Sequence, residues 1–127
     1  MIVVAFSGSR RASGIDSAFA AVRREIAALV HEFGVDRLAV VHGDAKGIDS
    51  MVDVACEDLG IQRVRCPAPW KLRGDSAGPF RNGFMLDFVK VSRAVALPCD
   101  ASVGTRGFIS MCERRGIPCR IVELGEL

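Results

Sequence analysis

The sequence predicts an α/β fold, a Rossmann-like three-layer α/β/α sandwich built on a parallel sheet. Short apolar runs rich in Val, Ala and Ile alternate along the chain with longer segments of helical periodicity. These runs are apolar without alternation, which is typical of strands that are buried on both faces of a parallel sheet. Parallel strands joined through helices take right-handed crossovers, which place helices on both faces.

Five apolar runs predict the strands. In chain order they are residues 2–7, 38–42, 62–66, 94–98 and 119–123. The connections between successive runs are long enough for the crossovers that parallel pairing requires. The sequence therefore predicts a five-stranded parallel sheet.

Four segments predict helices. The first spans residues 16–33, where apolar side chains recur on one stripe. The second begins at Ile48, the third starts near Pro79, a favoured first-turn residue, and the fourth runs over residues 104–115. Glycine at the C′ position or a following proline stops a helix, and the residues placed to do so are Gly34, Gly60, Gly116 and Pro118.

The composition indicates one domain over residues 1–127, since half of the residues are hydrophobic and the net charge is only +2. The amino-terminal apolar run lacks a basic flank and is too short for a signal peptide or a membrane span, so we expect a cytoplasmic protein without a membrane partner. The five cysteines include no C-x-x-C pair, which argues against disulfides and zinc. No motif predicts a metal ion or a bound cofactor.

The most informative motif is the turn H-G-D-A-K-G-I-D at residues 42–49, between the second strand and the second helix. Glycine lets a backbone approach a ligand closely, and the amino terminus of a helix attracts anions such as phosphate. Lys46 adds a positive charge, and Asp49 can accept hydrogen bonds from sugar hydroxyls. The alternative is an ordinary turn in which Asp49 caps the helix.

The loops expected at the carboxyl edge of the sheet, where such sheets bind ligands, carry more positive than negative charge. Their cations are Arg10, Arg11, Lys46, Lys71, Arg73 and Arg106, and their carboxylates are Asp44, Asp75 and Asp100. This asymmetry favours an anionic small molecule over ordinary solvated charge. The third loop, residues 67–78, is long, as functional loops often are, and we expect it to act as a lid.

Several polar and aromatic residues near this edge have more than one interpretation. The candidate catalytic residues are His42, Asp44 and Asp49. Two carboxylates and an imidazole near a sugar can perform acid–base chemistry, although a structural hydrogen bond at the turn is the role we favour for His42. Trp70 either stacks on a base or anchors its loop in the core. Arg81 and Asn82 either reach a ligand phosphate or brace the neighbouring loop.

These residues resemble motifs of the SLOG superfamily, in particular its YspA/YpsA-like branch. The segment F-S-G-S-R at residues 6–10 is similar to the strand-end GxR signature, and residues 42–49 are similar to the HGGAxGAD segment and, distantly, to SGxAxGID of DprA. Trp70 and Gly74, with A-G-P-F-R-N-G-F-M at residues 77–85, resemble W…G…AGPxRNxxM. Residues 98–105 resemble the PGGxGT loop, with a longer sequence and one glycine.

The resemblance implies a SLOG-like nucleotide-binding domain with strand order 3-2-1-4-5. Its ligand would be a nucleotide or a nucleotide-derived molecule such as ADP-ribose, bound or sensed at the carboxyl edge of the sheet. The ligand-binding residues that we predict from the loops and the resemblance together are Gly8, Ser9, Arg10, Gly43, Asp44, Lys46, Gly47, Asp49, Trp70, Arg81, Asn82, Gly104 and Thr105.

Two other functions stay open. The first is hydrolysis of an N-glycosidic or phosphate bond, as in the related LOG phosphoribohydrolases. Those enzymes carry acidic residues just beyond the Thr of PGGxGTxxE, whereas Thr105 is followed by R-G-F, so we expect a binder rather than an enzyme. The weaker alternative is single-stranded DNA binding of the DprA kind. It requires aromatics along a basic groove, and we expect Phe80 and Phe84 to turn inward.

Apolar residues on the outer helices predict a homo-oligomer, most simply a dimer. Rossmann-like domains often associate through such faces, and burying an apolar patch between two copies removes it from water. The residues expected to be exposed for this contact are Phe84, Phe88, Phe108 and Met111.

Overall fold

A computed structural model describes the backbone of all 127 residues and every side chain except that of Phe88. Its centre is a five-stranded sheet in the order β3-β2-β1-β4-β5, in which every neighbouring pair is parallel. The predicted fold class and strand order are therefore confirmed. The strands are β1 (Ile2–Gly8), β2 (Leu38–His42), β3 (Gln62–Arg65), β4 (Arg93–Leu97) and β5 (Cys119–Ile121).

The helices also follow the predicted pattern, with one addition. They are α1 (Asp16–Phe33), α2 (Ile48–Leu59), α3 (Trp70–Arg73), α4 (Ala77–Phe88) and α5 (Val103–Arg114). The added helix, α3, is a single turn inside the segment predicted as a long loop, and a 3-10 turn, Gly74–Ser76, connects it to α4. The helix α4 begins near Pro79, as predicted; Pro79 is its third residue, where the missing N–H costs no helical hydrogen bond.

Two apolar clusters cover the two faces of the sheet. On one face, Phe6 of β1 packs with Ile26 of α1 and Val52 of α2. On the other face, Met85 of α4 and Phe108 of α5 pack against the sheet. Alternate residues of β1 serve the two clusters, because successive side chains of a strand point to opposite faces. Each fully buried side chain of this size contributes about 1.5–3 kcal/mol to folding.

The aromatic residues of α4 and α5 differ from expectation. Phe108 is fully buried rather than exposed, and Met111 is partly buried. Phe80 was expected to turn inward, but it is 43% exposed. For Phe84 the two interpretations conflicted, one turning it inward and one exposing it for a dimer contact, and it is 41% exposed. The side chain of Phe88 lies outside the described residues. Of the predicted dimer contacts, only Phe84 is exposed among those that the structure describes.

The carboxyl-terminal segment, residues 122–127, continues alongside β4 after β5 ends. Val122 N–H donates to the Ala96 carbonyl at 2.8 Å, and Leu124 N–H donates to the Pro98 carbonyl at 2.8 Å. In return, the N–H of Asp100 donates to the carbonyl of Gly125 at 2.9 Å. These bonds fasten the segment to the loop that follows β4. Among the described residues, no helix is both long and apolar enough to cross a membrane.

Candidate functional site

A cavity of about 520 Å³ opens at the carboxyl edge of the sheet. Residues following β1 and β4 line it together with the first turns of α4 and α5 and with α3. β1 and β4 are adjacent in the sheet, while the chain continues from β1 toward β2 on one side and from β4 toward β5 on the other. Such a reversal of strand order is where parallel sheets form ligand crevices.

Many of the predicted ligand-binding residues meet in this cavity. Those that line it are Gly8, Ser9, Arg10, Asp49, Trp70, Arg81, Asn82, Gly104 and Thr105. The turn after β2 contributes less than predicted, since the residues of that turn that do not line the cavity are Gly43, Asp44, Lys46 and Gly47. Lys46 and Asp44 are exposed, which leaves their charges in solvent.

The glycines of this turn are required for packing. Gly47 has a φ of +81°, and a Cβ there would lie 2.3 Å from the carbonyl oxygen of Ser9. At Gly8, the last residue of β1, an added Cβ would lie 2.4 Å from the side chain of Ile48. The N–H of Ile48 donates to the same Ser9 carbonyl at 3.1 Å. The glycines thus bring the first turn of α2 against the end of β1, and the amide of Ile48 is already occupied.

His42, a candidate catalytic residue, is fully buried and does not line the cavity. Its Nδ1 accepts a hydrogen bond from the N–H of Asp44 at 3.0 Å, which places the ring proton on Nε2. That nitrogen donates to Asp53 Oδ1 at 2.8 Å. Arg65 pairs with the same carboxylate through two 2.9 Å contacts, and this pairing holds the pKa of Asp53 well below its usual range. His42 therefore fixes the turn.

Arg81 is buried, with 8% of its surface exposed. Its Nε donates to Asn82 Oδ1 at 2.8 Å, and its Nη1 donates to the carbonyl of Gly43. Burial lowers the pKa of the Arg81 guanidinium, and the neighbouring Asp49 carboxylate opposes this shift. Arg81 and Asn82 thus brace the turn and also line the cavity. Contact with a ligand phosphate, the other role considered for them, stays a prediction.

Asp49 presents an unused acceptor. It is 5% exposed and lines the cavity. Its Oδ2 accepts from the N–H of Ala45 at 3.2 Å, but its Oδ1 is buried and has no hydrogen-bond partner among the described residues. Burial raises the pKa of Asp49, and the positive charge of Arg81 opposes this shift. A buried polar atom without a partner is rare in native proteins and often marks a functional site.

This carboxyl gives a testable pH dependence. The folded protein retains a proton on Asp49 at pH values where the unfolded chain, with the usual pKa of 3.8, has released it. The free energy of unfolding should therefore fall through this group as the pH rises above about 4, because the native state binds more protons. Asp49→Asn removes the ionisation, so we expect this variant to gain stability over the parent at about pH 7 and to lose that advantage near pH 3.

Urea denaturation at a series of pH values measures the effect. Asp44→Asn is the matched control, since Asp44 is an exposed carboxylate of the same turn, and it should track the parent at every pH. An Asp49→Asn variant that is equally destabilised at both ends of the pH range would contradict the raised pKa.

The rim of the cavity carries Arg10, Arg11 and Trp70. The guanidinium of Arg10 lies 5.0 Å from the centre of the Trp70 ring, within the range of a cation–π contact. Trp70 is 46% exposed, so it does not anchor its loop in the core. Other cations predicted at this edge are engaged elsewhere: Arg106 pairs with Glu123 at 2.6 Å, and Arg73 lies 3.7 Å from the centre of the Phe80 ring.

Cys99 also lines the cavity, in agreement with the interpretation from sequence that it follows a strand and sits near a ligand, without a catalytic His partner; Ser102 lines the cavity too and was missed. The Cys99 sulfur is 3.1 Å from Ser9 Oγ and 3.2 Å from Ser102 Oγ. The signal in the sequence was the position of Cys99, two residues after β4 at the ligand edge of the sheet. Among the described residues, no group of three or more His, Cys, Asp or Glu side chains is placed to hold a metal ion.

Comparison with known proteins adds a relative. The chain is 31% identical over 96 residues to the Gene 61 protein of Mycobacterium phage D29, covering 70% of this chain and 73% of the phage protein. The chain belongs to the Gene 61 protein family. No family model and no solved structure match the chain described here. The name of the phage protein states no ligand or activity. The chemistry of the cavity is therefore the basis for a functional proposal.

Proposed function

We propose that this protein binds a nucleotide or a nucleotide-derived ligand, of the ADP-ribose kind, as a SLOG-like binding or sensing module. The observation that carries the proposal is Asp49 Oδ1, a buried acceptor without a partner in a cavity of about 520 Å³. A ribose hydroxyl supplies the donor that this oxygen lacks. The volume lies within the roughly 300–1,000 Å³ of typical small-molecule sites.

Phosphate groups match the other side of the same cavity. Arg10 and Arg11 line it, as do Gly104 and Thr105 in the first turn of α5. The amino terminus of a helix carries a partial positive charge and unpaired N–H groups, both of which favour phosphate. Trp70 offers an aromatic face on which a base can stack. Hydroxyl, phosphate and base recognition are thus combined around one space.

Binding without turnover is the form of the proposal that we favour. The residues just after Thr105 supply no carboxylate, because they are Arg106, Gly107 and Phe108. Arg106 pairs with Glu123, and Phe108 is buried in the core. The second candidate, hydrolysis of a glycosidic bond, is supported by Asp49, since burial raises the pKa of this carboxyl and a raised pKa favours the general-acid role.

Replacing Arg10 by alanine tests the proposal. We expect the affinity for AMP or ADP-ribose, measured by isothermal titration calorimetry, to fall by about 1.5–3 kcal/mol, because a charge-assisted contact to phosphate is lost. Arg37→Ala is the control, since Arg37 is an exposed arginine that precedes β2 at the opposite edge of the sheet. Unchanged affinity in Arg10→Ala, or no binding of either ligand by the parent, would count against the assignment.

Recovery of the ligand separates binding from hydrolysis. After incubation with the parent protein, chromatography should return AMP and ADP-ribose intact. Release of free base or ribose 5-phosphate at about 1 per second or faster, abolished by Asp49→Asn, would instead establish the hydrolase.

A further inference from the structure

Cys99 lies inside the cavity in an arrangement that the proposed nucleotide binding does not use. It lies two residues after the end of β4, lines the cavity and is 1% exposed. The side chains of Ser9 and Ser102 approach its sulfur from the end of β1 and from the N-cap of α5. Ser9 and Cys99 are 90 residues apart in sequence, so the sheet assembles this cluster.

The hydrogen bonds of the two serines orient their protons. Ser9 Oγ accepts the N–H of Arg11 at 3.1 Å, and Ser102 Oγ accepts the N–H of Cys99 at 2.9 Å. Each hydroxyl that accepts a backbone N–H keeps its own proton to donate. Ser9 Oγ donates to the Cys99 sulfur at 3.1 Å. Ser102 Oγ lies 3.2 Å from the same sulfur; either atom can donate while Cys99 is a thiol, and the hydroxyl is the donor once it is a thiolate. Two O–H donors that converge on one sulfur stabilise its anionic form.

The charged groups around Cys99 add to this effect. The hydrogen bonds of Ser102 and Ser9 lower the pKa of Cys99 against the effect of burial, and the positive charge of Arg11 makes a smaller contribution in the same direction. Arg106 of α5 donates to the Cys99 carbonyl at 3.3 Å, while its charge is paired with Glu123. The neighbouring carboxylate, Asp100, is exposed. A lowered thiol pKa near a positive charge favours the thiolate, which is the nucleophilic form of cysteine.

The other cysteines provide an internal comparison. Burial raises the pKa of Cys56 to about 12 and also raises the pKa of Cys66. Cys112 donates to Cys119, which raises the pKa of Cys112 and lowers that of Cys119. Cys119 is therefore the demanding comparator, because its pKa is lowered although it lies in β5 and does not line the cavity.

We propose that Cys99 is a nucleophilic thiolate within the cavity and the site at which small electrophiles, hydroperoxides in particular, modify this protein. The unpartnered Oδ1 of Asp49 in the same cavity independently indicates that the space receives a ligand. The proposal does not depend on that ligand being a nucleotide.

With hydrogen peroxide the step is a two-electron oxidation. The Cys99 thiolate attacks one peroxide oxygen, the S–O bond forms and the O–O bond breaks. Sulfur is oxidised to the sulfenic acid, the peroxide is reduced, and the departing hydroxide takes up a proton to become water. The added oxygen lies between Ser9 and Ser102, so oxidation reduces the space at the start of α5.

The test is competitive labelling of the full chain with limiting iodoacetamide, a reagent small enough to enter the cavity. Peptide mass spectrometry reports the labelling rate of each cysteine from about pH 5 to about pH 10. At neutral pH, Cys99 should react about tenfold faster than Cys119, with a midpoint below the ordinary thiol value of 9.0. Hydrogen peroxide followed by dimedone should place the sulfenic acid adduct on Cys99.

Variants of the two hydroxyls separate activation from simple exposure. Ser9→Ala and Ser102→Ala should raise the midpoint of the Cys99 pH profile, whereas Ser102→Thr, which keeps a hydroxyl, should retain it. Circular dichroism confirms that each variant is folded. Cys99 that stays unlabelled, reacts no faster than Cys119, or keeps its midpoint in both alanine variants would overturn the proposal.

Discussion

Replacing Gly47 by alanine is expected to destabilise the folded protein by about 2–6 kcal/mol, through backbone strain and overpacking together. Gly47 combines a φ of +81° with a ψ of −128°, a region that is essentially restricted to glycine. Its Cβ would lie 2.3 Å from the Ser9 carbonyl oxygen and 2.7 Å from Arg10 Cα. These are backbone atoms at the end of β1, so neither can move without shifting the cavity. Urea denaturation measures the loss.

Gly34→Ala is the matched control for this substitution. Gly34 has a similar φ of +83°, yet a Cβ there would meet nothing within 4 Å. The Gly34→Ala variant should therefore lose stability through backbone strain alone, about 1–3 kcal/mol. The difference between the two variants isolates the close approach of α2 to β1. Equal destabilisation of Gly34→Ala and Gly47→Ala would show that the two elements do not pack as described.

A second large effect is expected at Gly43, where the neighbour is a side chain. A Cβ on Gly43 would lie 2.3 Å from Arg81 Nη1, so alanine displaces the guanidinium from its hydrogen bonds. We expect Gly43→Ala to cost about 2–4 kcal/mol and Arg81→Ala about 3–5 kcal/mol, because the latter leaves the buried Asp49 without its nearby cation. In the Arg81→Ala background, however, alanine at position 43 has room.

The double-mutant cycle therefore predicts strong coupling. Gly43→Ala should cost less than about 1 kcal/mol once Arg81 is truncated, so the coupling energy is about 2 kcal/mol or more, well beyond the additivity error of independent sites. Gly107→Ala is the control, because its Cβ would meet nothing within 4 Å and its effect should be the same in both backgrounds. Additive costs for Gly43→Ala and Arg81→Ala would disprove the contact between them.

The elements of the fold were largely predictable, because their signals are local. All five predicted strands lie within about two residues of the observed ones, although β3 (Q-R-V-R) is mostly polar and exposed, and glycines located the ends of α1 and α2. The single-turn helix α3 was missed, since W-K-L-R is too short for a periodic pattern. Phe108 was misplaced although Thr105, Phe108 and Cys112 recur at helical spacing and are all buried, which was a readable signal of an inward stripe.

The site was less predictable, because its contacts join distant parts of the chain. Gly43, Gly47 and Lys46 were interpreted as a phosphate cradle, whereas the glycines accommodate Arg81 and Ser9. The sequence alone does not distinguish a glycine required for packing from a glycine required for ligand binding. Cys99 was interpreted as a possible ligand neighbour without a partner. Its contacts with Ser9 and Ser102 could not be predicted, because the two serines belong to separate loops.

The bonds between residues 122–125 and the loop after β4 have a consequence for motion around the cavity. The loop that carries Cys99 is held on one side by the sheet and on the other by backbone bonds from Leu124 and Gly125. Its amides can exchange with deuterated solvent when these few residues detach, without loss of the sheet. Residues 122–125 would therefore hold this loop in place while they are attached, and slow hydrogen exchange of the Asp100 amide would show that they are attached.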